Sequence, residues 1–214
     1  MKKNLLIKYW NSFYKKNTNY NESSFARFIF KKFKIIKRKK IIDIGCGNGR
    51  DSFFFWKKDL DVTGLDISKL AIKNNSSFSN KNLKFLKHDI NKKNFLRDKY
   101  DYIYSRFFLH AISQIDEKNL LNFINLIKKK NTYCFFEFRN HNDLIFKKKY
   151  NQVKHNDLIE FEKGHFRRVI DPNKFIETIN KFFKIKIIYY KSSVNLSKVK
   201  NDNPNLSRII FKFK

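Results

Sequence analysis

Glycine, proline, cysteine and alanine are all scarce in this 214-residue chain, with five, two, two and three residues respectively. Two cysteines, Cys46 and Cys134, allow at most one bridge, which excludes a disulfide framework. Two thiols do not make a structural zinc site, so no metal centre is expected. No apolar run approaches the roughly 20 residues of a membrane-spanning helix, so no membrane insertion is expected. The first residues, from Met1 to Lys8, turn polar too soon for a secretory signal. These absences lead us to expect a soluble protein of a reducing compartment, the cytoplasm. No Gly/Ser linker or internal repeat divides the chain, and its length suits a single domain, 1–214, able to bury its own core.

Lysine is what the chain has in excess. Lys and Arg number 48 against 19 Asp and Glu, a formal charge of +29, and only nine of the 48 are Arg. The lysines are spread along the chain with Asn, Ile, Phe and Tyr, the pattern of drift toward AT-rich codons. A basic surface also suits nucleic acid, so an RNA-directed enzyme stays as the alternative reading. In such a composition the rare residues carry the information.

Three of the five glycines, Gly45, Gly47 and Gly49, fall within five positions, after an apolar run over 41–44 and before Arg50-Asp51-Ser52-Phe53. This reads as strand, tight turn, helix. Further strands are predicted over 61–66, 83–87, 102–106 and 133–138. Helices are predicted after Ser68 as N-cap and from Ser113 or Asp116 to Lys129. Alternating strands and helices argue an α/β fold with a mostly parallel sheet covered on both faces. Asp171-Pro172 predicts another helix start, followed by strands over 185–190 and 207–213 and a turn at Asn201-Asp202-Asn203-Pro204 between them. An amphipathic helix is predicted over 24–33, and residues 1–38 are read as an N-terminal helical lid. Residues 140–168, polar and lysine-rich, read as a loop or insertion on the substrate side.

The glycine loop admits two readings. A dinucleotide fingerprint wants glycine at 45, 47 and 50, but position 50 is Arg. Glycines spaced by two, with Asp43 just before, suit a smaller adenosine-bearing ligand without a pyrophosphate. Asp66 closes the second strand, where a carboxylate can accept both hydroxyls of a ribose. Asp89 follows the third, within reach of an adenine amino group. Three strands thus deliver acids or glycines to one crevice at their carboxyl ends, where open sheets bind ligands.

These segments, residues 42–52, then Gly64-Leu65-Asp66-Ile67-Ser68, then Asp89-Ile90, resemble the cofactor motifs of class I S-adenosylmethionine-dependent methyltransferases. The resemblance spans the chain. It implies a Rossmann-like seven-stranded sheet whose last strand is antiparallel, and S-adenosyl-L-methionine as cofactor. It places Asp43, Gly45, Cys46, Gly47, Asn48 and Gly49 by the methionine portion and Asp66 with Ile67 at the ribose. Asp89 with Ile90 would stand at the adenine, and Arg106 is counted with the cofactor set. Arg50-Asp51-Ser52 is similar to small-molecule members such as the tellurite-resistance and thiopurine enzymes.

For the acceptor, residues 105–110 lack the Asp/Asn-Pro-Pro-aromatic motif of enzymes that methylate base or glutamine amino groups, and no Pro-Cys pair is present to attack a pyrimidine carbon. Arg106, Arg139, Arg167 and Arg168 lie at strand ends or loops on the expected cofactor side. Arginine clamps carboxylate or phosphate in a two-pronged fashion, which points to a small anionic acceptor. Tyr9, Trp10 and Phe25 suggest a lid over the cofactor, and Tyr9, Trp10 and Tyr14 are counted with the arginines Arg139, Arg167 and Arg168 as substrate-binding. His110, His165 and Glu137 are the candidate general bases for a hydroxyl. The segments around Tyr9, 105–110, 164–168 and 203–210 also resemble bacterial methyltransferases found with surface-glycan biosynthesis, implying O-methylation of a sugar or phosphate-bearing precursor. A cofactor-binding module without catalysis is the non-enzyme alternative. Nothing in the sequence sets the oligomeric state.

Overall fold

The computed structural model describes residues 3–16, 21–92, 96–147, 154–197 and 202–214. Five strands run parallel in a seven-stranded sheet: β1 (Lys40–Ile44), β2 (Asp61–Asp66), β3 (Leu83–Lys87), β4 (Tyr100–Arg106) and β5 (Lys128–Arg139). After a hairpin formed by β6 (Leu158–Glu162) and β7 (His165–Arg168), β8 (Ile185–Ser193) and β9 (Leu206–Phe213) complete the sheet, whose order is β3-β2-β1-β4-β5-β9-β8. The last strand, β9, pairs antiparallel with both β5 and β8, as the resemblance implied. The order reverses between β1 and β4, which opens a crevice at the carboxyl ends of those strands.

The helices begin where local chemistry starts them. Ser23 Oγ accepts from Ala26 N at the start of α2 (Ser24–Lys32), and Ser68 Oγ accepts from Ala71 N at the start of α4 (Lys69–Ser76). Ser113 and Asp116 form a reciprocal capping box on α5 (Gln114–Ile127). Asp171 caps α7 (Pro172–Phe182), with Pro172 in the first turn. Of the predicted turn at 201–204, Asn201 lies outside the described residues.

Each face of the sheet has its own apolar core. One packs Ile42, Ile103, Phe136 and Phe211 against Leu120, Leu121 and Ile124 of α5 and Phe175 and Ile179 of α7. The other packs Ile41, Val62, Tyr104 and Phe135 against Phe25 and Ile29 of α2 and Phe55 of α3 (Arg50–Trp56).

Two expectations change here. Within the stretch read as a lid, α2 is a core helix: Phe25 is fully buried on the sheet face and stacks 5.3 Å from the Tyr104 ring. Among the described residues of that stretch, it is α1 (Lys3–Lys16) that lies over the crevice, with Leu6 as its one buried residue. The stretch read as a loop holds α6 (Leu144–Lys147) and the β6–β7 hairpin, with a small core of Phe146, Ile159 and Val169. The hairpin turns at Gly164, whose φ of +84° is the left-handed region, and Glu160 Oε1 accepts from Gly164 N at 2.8 Å. A Cβ at Gly164 would stand 2.9 Å from Leu5 O, so glycine also lets α1 lie directly on the hairpin. Among the described residues, no helix is long and apolar enough to cross a membrane.

Candidate active site

The glycine loop leaves β1 and is pinned to the end of β2: Gly45 N and Cys46 N both donate to Leu65 O, at 2.8 and 2.9 Å. Asp66 closes β2 with each carboxylate oxygen accepting one backbone N–H, Oδ2 from Gly47 at 2.9 Å and Oδ1 from Ser68 at 2.8 Å. Asn75 Nδ2 holds the loop from α4 by donating to Gly47 O at 2.8 Å. Gly47 has φ +53°, and a Cβ there would stand 2.5 Å from the Tyr14 hydroxyl. The bare backbone is thus a surface that a ligand, or here a tyrosine, can touch. Cys46 is buried beneath the loop, while Asn48 and Ile67 are half-buried at its edges. Asp89, after β3, is ion-paired with Lys3 of α1 and accepts from Asn91 N, and Ile90 packs against the core.

Asp43 lies under the loop, 3% exposed, accepting from Ser52 Oγ at 2.6 Å. Burial, with the neighbouring Asp51 and Asp66 adding to it against the Ser52 bond, pushes its pKa up to about 8. The acid is therefore neutral at pH 7 in the folded chain. Below pH 4 both folded and unfolded chains hold the proton. As pH rises from 4 to 8 the unfolded chain releases it and the folded chain keeps it, so stability falls by up to about 1.4 kcal/mol per pH unit from this group. We expect the melting temperature of Asp43→Asn to gain on the wild type as pH rises from 5 to 8. Parallel melting profiles for the two proteins would contradict this assignment.

Helix α1 covers the crevice from one end to the other. Asn11 Oδ1 accepts from Ser68 Oγ at 2.7 Å and Leu70 N at 3.3 Å. The Tyr14 hydroxyl stands on Gly47, Trp10 stacks on Tyr14 at 5.8 Å, and Tyr9 stacks on His165 at 4.3 Å. The three aromatic residues singled out in the sequence thus run in a row from the glycine loop to the hairpin.

The arginines divide. Glu137, 1% exposed on β5, sits between two guanidinium groups: Arg106 Nε donates to Oε1 at 2.8 Å and Arg208 Nε to Oε2 at 2.7 Å. The expectation that Glu137 serves as a general base is corrected by this geometry, because both its oxygens are committed to buried cations. Arg106 stays at the crevice with its guanidinium 3.9 Å over the Phe107 ring, and Arg208 reaches Leu196 O and Ser24 Oγ. Arg168 is also corrected. On β7 alternate side chains face opposite ways, so His165 and Arg167 share one face and Arg168 takes the other. Arg168 is 1% exposed, ion-paired with Glu117 and donating to Ile112 O at 3.0 Å and Asn156 Oδ1 at 2.6 Å, which is a structural role away from any acceptor.

On the crevice side remain His110, Arg139, His165 and Arg167. His110 follows β4 in a 3-10 turn, Leu109–Ala111, and is fully buried. Its Nδ1 accepts from Arg139 N at 3.1 Å, so the neutral ring carries its proton on Nε2 and is a donor. The expectation of His110 as a base is corrected accordingly. Arg139 pairs with Asp143 at 2.8 Å and with Asp202. Burial and then Arg167 and Arg139 lower the pKa of His165 to about 3. Burial and then Arg139 lower that of Arg167 to about 10.

Sequence reasoning missed Asn11, Asn75 and Arg208. Arg208 was one of nine rare arginines, but its partner Glu137 lies 71 residues away across an antiparallel pair. No local pattern announces such a contact.

A sequence profile described as a methyltransferase domain matches residues 35–162, more than half of the chain. No curated protein matches. Among solved structures, an S-adenosylmethionine-dependent methyltransferase from Anabaena variabilis superposes with a TM-score of 0.73 at 18% identity, over 99% of this chain and 94% of its own. TehB from Haemophilus influenzae gives 0.64 at 17%, over 88% of this chain and 62% of its own. The glycopeptide N-methyltransferase MtfA complexed with S-adenosyl-L-homocysteine gives 0.69 at 10%, over 91% and 90%. A glycine loop whose Cβ-free surface faces the crevice, flanked by acids at adjacent strand ends, fits an adenosyl cofactor. The chain belongs to the methyltransferase-domain family and is a class I S-adenosylmethionine-dependent methyltransferase.

Proposed function

We propose that this enzyme methylates an oxygen of a small anionic acceptor held under α1, beside the glycine loop. The observation that carries this is the gathering of Arg106, Arg139 and Arg167 with two neutral histidines on the crevice side, closed by Tyr9 and Trp10. A closed cover of aromatic rings suits a small molecule better than a polymer. A sugar or phosphate-bearing precursor of a surface glycan fits the same features.

The cofactor supplies a sulfonium methyl group, electrophilic enough for direct in-line displacement. This chain's residues position and exclude water. Asp66 accepts from the ribose hydroxyls with the lone pairs that Gly47 and Ser68 leave free. Asp43 and the loop from Gly45 to Gly49 hold the methionine portion with Arg106. Asp89 and Ile90 flank the adenine, and Lys3 must release Asp89 for this. With Glu137 and His110 committed elsewhere, His165 is the side chain left to take a hydroxyl proton. Its pKa near 3 reflects burial and two neighbouring cations, and a bound anion would offset those cations and make it a stronger base.

The test is a labelled-methyl transfer screen on cell extract divided into small-molecule and nucleic-acid fractions. We expect label in anionic small molecules, on oxygen. Label confined to RNA, with binding that weakens steeply in salt, would overturn the reading in favour of an RNA enzyme. Label on nitrogen would overturn the O-methylation part. No transfer by a folded protein that binds cofactor would favour a non-catalytic module.

A further inference from the structure

Four buried side-chain nitrogens converge beneath α1 without a hydrogen-bond partner: His110 Nε2, Arg139 Nε, His165 Nε2 and Arg167 Nε. They come from three separate segments, the 3-10 turn after β4, the end of β5 and strand β7, which are packed together. Buried polar groups in folded proteins are nearly always paired. Four in one place mean that something absent from the chain satisfies them.

The chemistry of that something follows from the donors. His110 Nε2 carries a proton, as its Nδ1 bond requires, and both Nε atoms are guanidinium N–H groups. Arg139 has spent its terminal nitrogens on Asp143 and Asp202, so only its Nε edge is offered. Arg167 has no ion pair or hydrogen bond among the described residues. A planar carboxylate would be satisfied by one guanidinium edge. Polar nitrogens arriving from three separate segments match a group that offers several oxygens, as a phosphoryl group does with three.

We infer that His110, Arg139, His165 and Arg167 form a subsite for a phosphoryl group, so that the acceptor is a phosphate ester whose phosphate is clasped beneath α1. This rests on the reading of the crevice as the acceptor site, but not on which atom is methylated. The charged neighbours of the two histidines are Arg106 at the end of β4, Arg139 on β5 and Arg167 on β7, with Tyr9 stacked on His165 from α1.

The full-length protein should bind inorganic phosphate at one site in phosphorus NMR and calorimetry, more tightly than acetate. Arg167→Ala should weaken this at least tenfold, and Arg167→Lys should restore part of it. Tyr9→Ala removes the ring stacked on His165 and keeps the site accessible if α1 shields it in the wild type. Absence of phosphate binding in both the wild type and Tyr9→Ala overturns the inference, as does an Arg167→Ala variant that binds phosphate unchanged. Acetate binding as tightly as phosphate overturns the choice of phosphoryl group. S-adenosylhomocysteine binding is measured in parallel: a protein that binds it but not phosphate fails this inference alone, and the reverse fails the cofactor assignments alone.

Discussion

Asp66→Ala is expected to lower affinity for S-adenosylhomocysteine by two orders of magnitude or more. The carboxylate has two tasks. It holds Gly47 N and Ser68 N, which shape the loop and the start of α4, and it presents its remaining lone pairs to the ribose. Hydrogen bonds to a charged group are worth about 1.5–3 kcal/mol each, and two lost together correspond to roughly a hundredfold or more. Burial raises the Asp66 pKa against the backbone N–H groups that lower it, and the ribose hydroxyls add further donors to the ionised form. Affinity of the folded variant within fivefold of wild type in calorimetry would remove Asp66 from the cofactor site. A circular-dichroism melt run alongside separates lost binding from lost fold.

Glu137→Ala is expected to destabilise the whole domain, lowering the melting temperature by about 10 °C. The variant leaves Arg106 and Arg208, both largely buried, facing each other without the anion between them. Breaking a buried ion pair from one side costs about 3–5 kcal/mol, and each kcal/mol moves the melting point of a domain this size by about 2–4 °C. Glu137→Gln keeps the shape and one acceptor oxygen and should fall between the two. The pair of variants also discriminates roles. A Glu137→Gln enzyme with an unchanged melting point but no turnover would return Glu137 to the role of general base.

The parts of this molecule legible in its sequence share a short range. Gly45, Gly47 and Gly49 announce a turn because glycine enters the left-handed backbone region, where all three lie, at no steric cost. Ser68, Ser113 and Asp171 announce helix starts because a cap bonds to residues two or three positions on. The β6–β7 hairpin went unread because Lys163-Gly164 is an unremarkable turn signal in a lysine-rich stretch. Arg167 and Arg168 read as one feature, yet strand alternation sends one toward the crevice and the other into a pocket of carbonyls and Glu117.

By itself the sequence determined the seven strands of the main sheet and the helices between them, though not the β6–β7 hairpin, along with the loop and the acids at the ends of β1, β2 and β3, since those follow from backbone preference and hydrophobic period over a few residues. Only the tertiary structure decided what each charged group does. It placed Arg208 opposite Glu137, turned His110 into a donor by setting Arg139 N against its ring, laid Tyr14 on Gly47, and left four nitrogens beneath α1 without partners. The physical reason is that the protonation and pairing of a buried polar group are set by neighbours in space, which here lie tens of residues away along the chain.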